Sequence, residues 1–325
     1  MNRVMTDIHK RPAGLANYLA LARFDHATKH VFILPGIGLA WTLRGIQTPS
    51  IAYSLAVGLI AAICIASANY VINEYLDREF DQHHPTKSAR NAVQTVMNWR
   101  VIVALWVAFL TVGLAAAALG GLAMFLIAAA FAAQGIVYNV RPLRTKEVAY
   151  LDVLSEAVNN SFRLMIGWVI VDPNTLPPAS IILAFWFGGA FLMAAKRMSE
   201  YREIVASHGK DLLVRYRKSF ANYTESGLTA STVCYALLSV AFTVVFLVKY
   251  RIEYLLCVPF IVALFTQYLA LAMRPASTAQ APENLFRERR LLAVAAALAI
   301  TFAVMTFVDL PMLDTLASQS YIELS

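Results

Sequence analysis

Residues 69–90 read Asn69-Tyr-Val-Ile-Asn73-Glu-Tyr-Leu-Asp77-Arg-Glu-Phe-Asp81-Gln-His-His84-Pro-Thr-Lys87-Ser-Ala-Arg90. They place a dense set of carboxylates and bases at the end of a long apolar run. Asn73, Asp77 and Asp81 recur every fourth residue, so on a helix they form one oxygen-lined stripe. Like charges at that spacing repel by a few tenths of a kcal/mol, which favours a neighbouring cation. Magnesium suits hard oxygen donors and is held by one or two carboxylates together with substrate phosphates. Read without a ligand, residues 74–90 would be a solvated charged loop after a membrane helix.

Composition supplies the frame for that stretch. The chain of 325 residues is 59% hydrophobic and 14% charged, with a mean hydropathy of +0.60, so an ordinary soluble domain is excluded and an all-α polytopic membrane protein expected. Apolar stretches of about 17–25 residues fall at 30–46, 51–73, 99–119, 121–139, 149–171, 179–195, 227–249, 253–272 and 290–310. About nine transmembrane helices are therefore expected over 30–310, after an N-terminal segment 1–29 and before a tail 311–325. Gly120-Gly121 predicts a tight hairpin, Pro35 weakens the first span, and residues 14–24 read as an interfacial helix.

Of the 27 Lys and Arg residues, 23 fall on the side of the N-terminus, three (Arg44, Lys249, Arg251) on the other, and Arg163 within a span. That bias predicts a cytoplasmic N-terminus and puts the 73–90 cluster on the cytoplasmic face of a cell inner or plasma membrane. The net charge of +7 then follows from topology and phosphate binding; no nucleic-acid module is visible. Cys64, Cys234 and Cys257 lie in separate spans without paired spacing, which indicates neither a disulfide framework nor a thiolate site. The histidines cluster only at His83-His84, against a zinc or iron centre.

A second polar stripe runs through Asp152, Glu156, Asn159 or Asn160, and Arg163. Ionisable groups inside a membrane helix are costly and mark interior, functional faces, although a structural ion pair involving Glu156 and Arg163 has the same pattern. Before it, Tyr138-Asn-Val-Arg141-Pro-Leu-Arg144-Thr-Lys146 supplies bases able to clamp a diphosphate. A third polar region, Lys196-Arg197-Met-Ser-Glu200, allows Lys196 to pair with Glu200 one turn on. The basic stretch 198–226 that follows reads as a loop, either a lid over phosphates or a surface for anionic lipid.

These motifs resemble the UbiA superfamily of integral membrane transferases over nearly the whole chain. Asn73, Asp77 and Asp81 match its first NxxxDxxxD motif; Tyr138–Lys146 followed by Asp152 and Glu156 resembles its second. The resemblance implies nine helices around a central cavity, Mg²⁺ bridging both acidic motifs to a diphosphate, and transfer to an acceptor as that diphosphate leaves. It assigns metal binding to Asn73, Asp77, Asp81, Asp152 and Glu156, the central catalytic part to Asp77, Asp81 and Asp152, and phosphate binding to Lys87, Arg90, Arg144, Lys146, Lys196 and Arg197. Tyr138, Asn160, Arg163 and Glu200 complete the polar cavity.

His84-Pro-Thr-Lys87-Ser-Ala-Arg90 and Lys196-Arg197-x-x-Glu200 are most similar to the decaprenyl-phosphate phosphoribosyltransferase branch, which implies phosphoribosyl pyrophosphate as donor and a polyprenyl phosphate as acceptor. Glu74 stands where the family often has Asp, and Asn91 where Pro is common. An aromatic prenyltransferase using a polyprenyl diphosphate is the alternative enzyme. A transporter or lipid-binding protein is a third reading, disfavoured by nine spans without visible inverted repeats. Membrane lipids and the polyprenyl substrate are the expected partners; no protein partner is readable.

Overall fold

A computed structural model describes residues 11–275, 277, 279 and 288–313. Most of the 311–325 tail, Arg287 and the first ten residues lie outside that description. The elements in order are β1 (Arg11–Pro12), α1 (Leu15–Ala20), a 3₁₀ segment Phe24–Phe32, α2 (Ile33–Arg44), α3 (Ile51–Asp81), α4 (Asn91–Gln94) and β2 (Thr95–Val96). They continue with α5 (Trp99–Leu119), α6 (Leu122–Asn139), α7 (Leu151–Val171), α8 (Ala179–His208), α9 (Lys210–Tyr216), α10 (Glu225–Tyr250), α11 (Val258–Ala272) and α12 (Arg289–Phe307).

Every one of the nine apolar stretches contains a helix. Among the described residues, seven helical segments are long and apolar enough to cross a membrane. The other two stretches hold α2, twelve residues long, and α7, whose polar stripe dilutes its apolar content. Pro35 is accommodated because it sits in the first turn of α2, where no intrahelical N–H partner is required. The interfacial helix expected over 14–24 is shorter, confined to α1, and the residues before it pair β1 with β2 in a parallel bridge.

Local chemistry sets the helix boundaries. The Tyr53 N–H donates to Ser50 Oγ at 3.4 Å to cap α3, Arg100 N–H to Asn98 Oδ1 at 3.0 Å to cap α5, and Gly227 N–H to Thr224 Oγ1 at 3.1 Å to cap α10. The hairpin between α5 and α6 turns on Gly121 at φ +102°, a backbone conformation closed to most side chains. As the fourfold spacing predicts, α3 carries its polar stripe on to Asp81; one expected loop is helical instead, since α8 runs unbroken to His208 before α9 begins.

The packing falls into two units, Met1–Leu176 with Ile204–Tyr223, and Pro177–Glu203 with Thr224–Ser325. In the first, α2, α3, α5, α6 and α7 enclose a core of small and branched side chains including Ala61, Ile65, Ala117, Ala128, Phe131, Ile166 and Ile170. α2 and α7 cross in close contact. A Cβ on Gly36 would collide with the Leu164 carbonyl, and one on Gly167 with the Ile33 carbonyl. Small residues let membrane helices approach to backbone contact, where dispersion substitutes for the hydrophobic drive that lipid removes. In the second unit, Ser239 Oγ donates to the Ala184 carbonyl at 2.8 Å, tying α10 to α8. Val101, Val107, Leu237, Val245, Ile300 and Val304 are exposed along α5, α10 and α12, as faces solvated by lipid tails should be.

Candidate active site

The polar C-terminal end of α3, the turn Thr145–Glu147 and the α9 connection converge on one open cavity lined by Asp77, Phe80, Asp81, Lys87, Arg144, Lys146, Glu147, Tyr216, Arg217 and Lys218. Five cationic side chains face three carboxylates there, so the cavity carries a net positive charge and suits a polyanion.

Asp77 is the focus. Lys146 Nζ lies 2.6 Å from Asp77 Oδ1 and Arg144 donates to the same oxygen at 3.0 Å. Arg144 sits at φ +30°, held there by further bonds from its guanidinium to the Asn139 carbonyl at 3.1 Å and the Leu76 carbonyl at 3.3 Å. Its Nε also lies 2.8 Å from Glu147 Oε1, an ion pair without hydrogen-bond alignment. Lys146 donates to Asn139 Oδ1 at 2.7 Å, and Asn73 donates its amide to that same oxygen at 2.6 Å. Burial, with the Arg144 and Arg217 cations adding to it, brings Lys146 down to about 8 against the pull of Asp77. Arg144 and Lys218 both rest against the Phe80 ring, at 5.5 and 5.4 Å.

Asp81 lines the cavity one turn on and pairs with Arg90 at 2.9 Å. Arg90 continues to Glu74 at 3.2 Å, and Glu74 meets Arg23 at 2.7 Å, so the N-terminal segment is fastened to α3 by a relay of buried carboxylates and half-buried arginines. Of the two stripe carboxylates, Asp77 is the more accessible, 22% exposed against 7% for Asp81.

The second acidic stripe, expected to hold metal, is engaged by protein donors. Asp152 is fully buried and accepts hydrogen bonds from Tyr223 Oη at 2.6 Å, Ser219 Oγ at 3.1 Å and Arg217 Nε at 3.3 Å. Glu156 accepts from the Tyr138 hydroxyl at 2.8 Å, and Arg217 donates to that hydroxyl at 3.0 Å. Neither Asp152 nor Glu156 lines the cavity. They reach it through Arg217, which touches both networks and faces the cavity itself. Among the described residues no cluster of three or more acidic, His or Cys side chains is arranged around a metal. The two carboxylates at the cavity, with room for phosphate oxygens and water, do match the donor set magnesium accepts, which is one or two carboxylates plus substrate. Asp77 and Asp81, which line the cavity, are the residues that would hold it; Asp152 is engaged by Tyr223, Ser219 and Arg217.

The remaining expected residues are distributed as follows. Arg163 is buried in α7 with Asn160, and its Nη1 lies 3.5 Å from Asn160 Oδ1. Lys196, Arg197 and Glu200 belong to the second unit, where Arg197 reaches Glu200 at 3.4 Å. Tyr216, Arg217, Lys218 and Glu147 were not expected as site residues. The basic stretch that contributes the first three reads in sequence as one long loop, yet Leu213, Tyr216 and Phe220 recur at helical spacing and are buried.

Comparison with known proteins shows the family and the fold. The family model described as "UbiA prenyltransferase family" matches residues 31–287, which include the cavity residues. A decaprenyl-phosphate phosphoribosyltransferase from Mycolicibacterium smegmatis is 29% identical over 202 residues, 58% of this chain and 58% of that protein. A protoheme IX farnesyltransferase from Geobacillus kaustophilus is 30% identical over 154 residues, 44% of this chain and 47% of the relative. The aligned stretch thus spans about half the length of each curated relative. A UbiA homologue from Archaeoglobus fulgidus, solved with GPP and Mg²⁺, shares the fold at a TM-score of 0.66 over 89% of this chain and 99% of that one, with 23% identity. A digeranylgeranylglyceryl phosphate synthase structure aligns at 0.57 over 90% and 95%, with 15% identity. The chain belongs to the UbiA prenyltransferase family.

Proposed function

We propose that this protein is a magnesium-dependent membrane transferase that moves a 5-phosphoribosyl group from phosphoribosyl pyrophosphate to a polyprenyl phosphate. The observation carrying this reading is the cavity at Asp77, with two stripe carboxylates ringed by Lys87, Arg144, Lys146, Arg217 and Lys218. The similarity to the mycobacterial phosphoribosyltransferase supports it. In this reading the bond from the sugar's anomeric carbon to the diphosphate oxygen breaks, pyrophosphate keeps the electron pair, and an oxygen of the lipid phosphate forms the new bond.

The protein's own part is electrostatic. Arg144, Lys146 and Arg217 are held in place by Asp77, Asn139 and Asp152 before substrate arrives, so charge developing on the leaving diphosphate meets donors that need no reorganisation. Magnesium, when bound by Asp77 and Asp81, neutralises further charge on the diphosphate. Phe80 closes one wall with an apolar ring, which limits water and strengthens each charge interaction. The distribution of Lys and Arg orients this cavity toward the cytoplasm, with the N-terminus on the same side.

A second reading, transfer of a prenyl group from its diphosphate to an aromatic acceptor, is favoured by the similarity to the farnesyltransferase. It uses the same diphosphate cavity with an allylic carbon in place of the anomeric one. Pyrophosphate release from the purified protein in lipid separates them. Release with phosphoribosyl pyrophosphate plus polyprenyl phosphate supports the first, and release only with a polyprenyl diphosphate plus an aromatic acid overturns it in favour of the second.

A further inference from the structure

Arg163 is the odd group of the first unit. It is 4% exposed, and its Nε has no hydrogen-bond partner among the described residues. Its Nη1 makes only long contacts, 3.3 Å to the Asn159 carbonyl and 3.5 Å to Asn160 Oδ1. Tyr70 hydrogen-bonds to the guanidinium and the Phe131 ring lies 5.2 Å from it, but Nε is left unmade, and an unmade donor in a low-dielectric interior is costly. The groups around it have the same property. His30, within electrostatic reach of both Arg163 and Lys29, has a buried Nδ1 without a partner. Among the described residues, Lys29 Nζ meets only the face of Tyr70, at 5.2 Å from the ring centre.

The chain brings these residues together through the α2–α7 crossing. Gly167 touches the backbone of Ile33, so Arg163, one turn earlier on α7, is level with the segment three residues earlier that carries Lys29 and His30. Tyr70, which faces Arg163, is on α3 seven residues before Asp77. At 1.5 Å per residue that is about 10 Å deeper along the same helix. Glu156 is the carboxylate facing Arg163, and it already accepts from Tyr138. Two cations, with an imidazole beside them, therefore face one acid in a part of the bundle where uncompensated charge is expensive.

We propose that Lys29, His30 and Arg163 form a second anion subsite, one that binds a phosphomonoester about 10 Å along α3 from the Asp77 diphosphate cavity. The inference rests on the phosphoribosyl reading only in naming its ligand. Two phosphomonoesters occur in that reaction, the 5-phosphate of the sugar donor and the phosphate of the lipid acceptor, and the chemistry of the subsite is common to both.

The test uses the full-length protein in lipid nanodiscs and measures binding of ribose 5-phosphate, decyl phosphate and magnesium pyrophosphate to the wild type and to Lys29→Gln, His30→Gln and Arg163→Gln. The expected result is a loss of about tenfold or more in affinity for one phosphomonoester, the scale of a lost charge-assisted hydrogen bond, with magnesium pyrophosphate binding unchanged. Loss confined to ribose 5-phosphate assigns the subsite to the donor, and loss confined to decyl phosphate to the acceptor. Lys29→Gln, at a less buried position, keeps the test open where Arg163→Gln does not fold. Absence of phosphomonoester binding by the wild type, unchanged binding in the variants, or an equal loss for pyrophosphate overturns the subsite. Because these measurements need no turnover, a protein that binds as expected but transfers no phosphoribose overturns the proposed reaction while leaving the subsite standing.

Discussion

Replacing Asp152 with Asn separates a scaffold role for the second acidic stripe from a metal-ligand role. Asn keeps the size of the side chain but removes its charge and turns one acceptor into a donor. Asp152 Oδ1 accepts from Tyr223 and Oδ2 from Ser219 and Arg217, so the new NH₂ confronts a donor in either orientation. If it turns toward Tyr223, that hydroxyl, which also accepts the Tyr150 N–H at 2.7 Å, loses the target for its own proton. Arg217 loses its charged partner in either case. A bond to a charged group contributes about 1.5–3 kcal/mol and a neutral one about 1 kcal/mol. Weakening two or three of them therefore costs about 2–4 kcal/mol, below the ceiling of about 5 kcal/mol that Coulomb's law gives for the pair at an effective dielectric of 20. For a unit of roughly 200 residues this lowers the melting midpoint by roughly 5–10 °C. The assay is thermal unfolding of metal-free protein in nanodiscs, repeated with magnesium pyrophosphate. A metal-ligand role predicts the reverse, a metal-free midpoint unchanged or raised by removal of a buried charge. That result would refute the scaffold argument.

Other outcomes follow from the same contacts. Gly167→Val drives two branched methyl groups into the Ile33 carbonyl and should cost about 1–3 kcal/mol by overpacking, read as a lower melting midpoint; a wild-type midpoint would show that α2 and α7 are not in backbone contact. Arg144→Gln leaves Lys146 on Asp77 but removes a cavity cation, so the KM for the diphosphate substrate should rise about tenfold or more with the fold intact by melting. Burial, then Lys29 and Arg23, hold His26 down to about 3. Because the folded protein resists protonating a group that titrates near 6.5 when unfolded, the stability this residue contributes is present above about 6.5 and is lost as pH falls below it. His26→Gln should flatten that acid limb of the melting midpoint between pH 6.5 and 4, and an identical limb in the variant would remove His26 as its cause.

The first stripe was legible because its chemistry and its period coincide. Asn73, Asp77 and Asp81 are spaced for one helix face, and α3 does extend through all three. Lys87, Arg144 and Lys146 were legible because bases close in sequence to an acidic helix end have few other places to go. Arg217, Lys218 and Tyr216 were not: their approach depends on the chain returning to the Thr145–Glu147 turn after α9, a long-range contact that local spacing does not encode. Asp152 shows the opposite limit. Its place on the inward face of α7 was readable, but what occupies that face is Tyr223, 71 residues away. The continuation of α8 to His208 had a signal, since no Gly or Pro interrupts Ala190–His208.

The central claim is tested most directly by incubating the purified protein in lipid vesicles with ribose-labelled phosphoribosyl pyrophosphate and a polyprenyl phosphate, then measuring label in the organic phase. The account predicts label transfer with Mg²⁺, none with EDTA, and at least a hundredfold less for Asp77→Asn at undiminished folded protein, about 3 kcal/mol of lost transition-state stabilisation. Label remaining in the aqueous phase with wild-type protein and Mg²⁺, or wild-type transfer by Asp77→Asn, would contradict it.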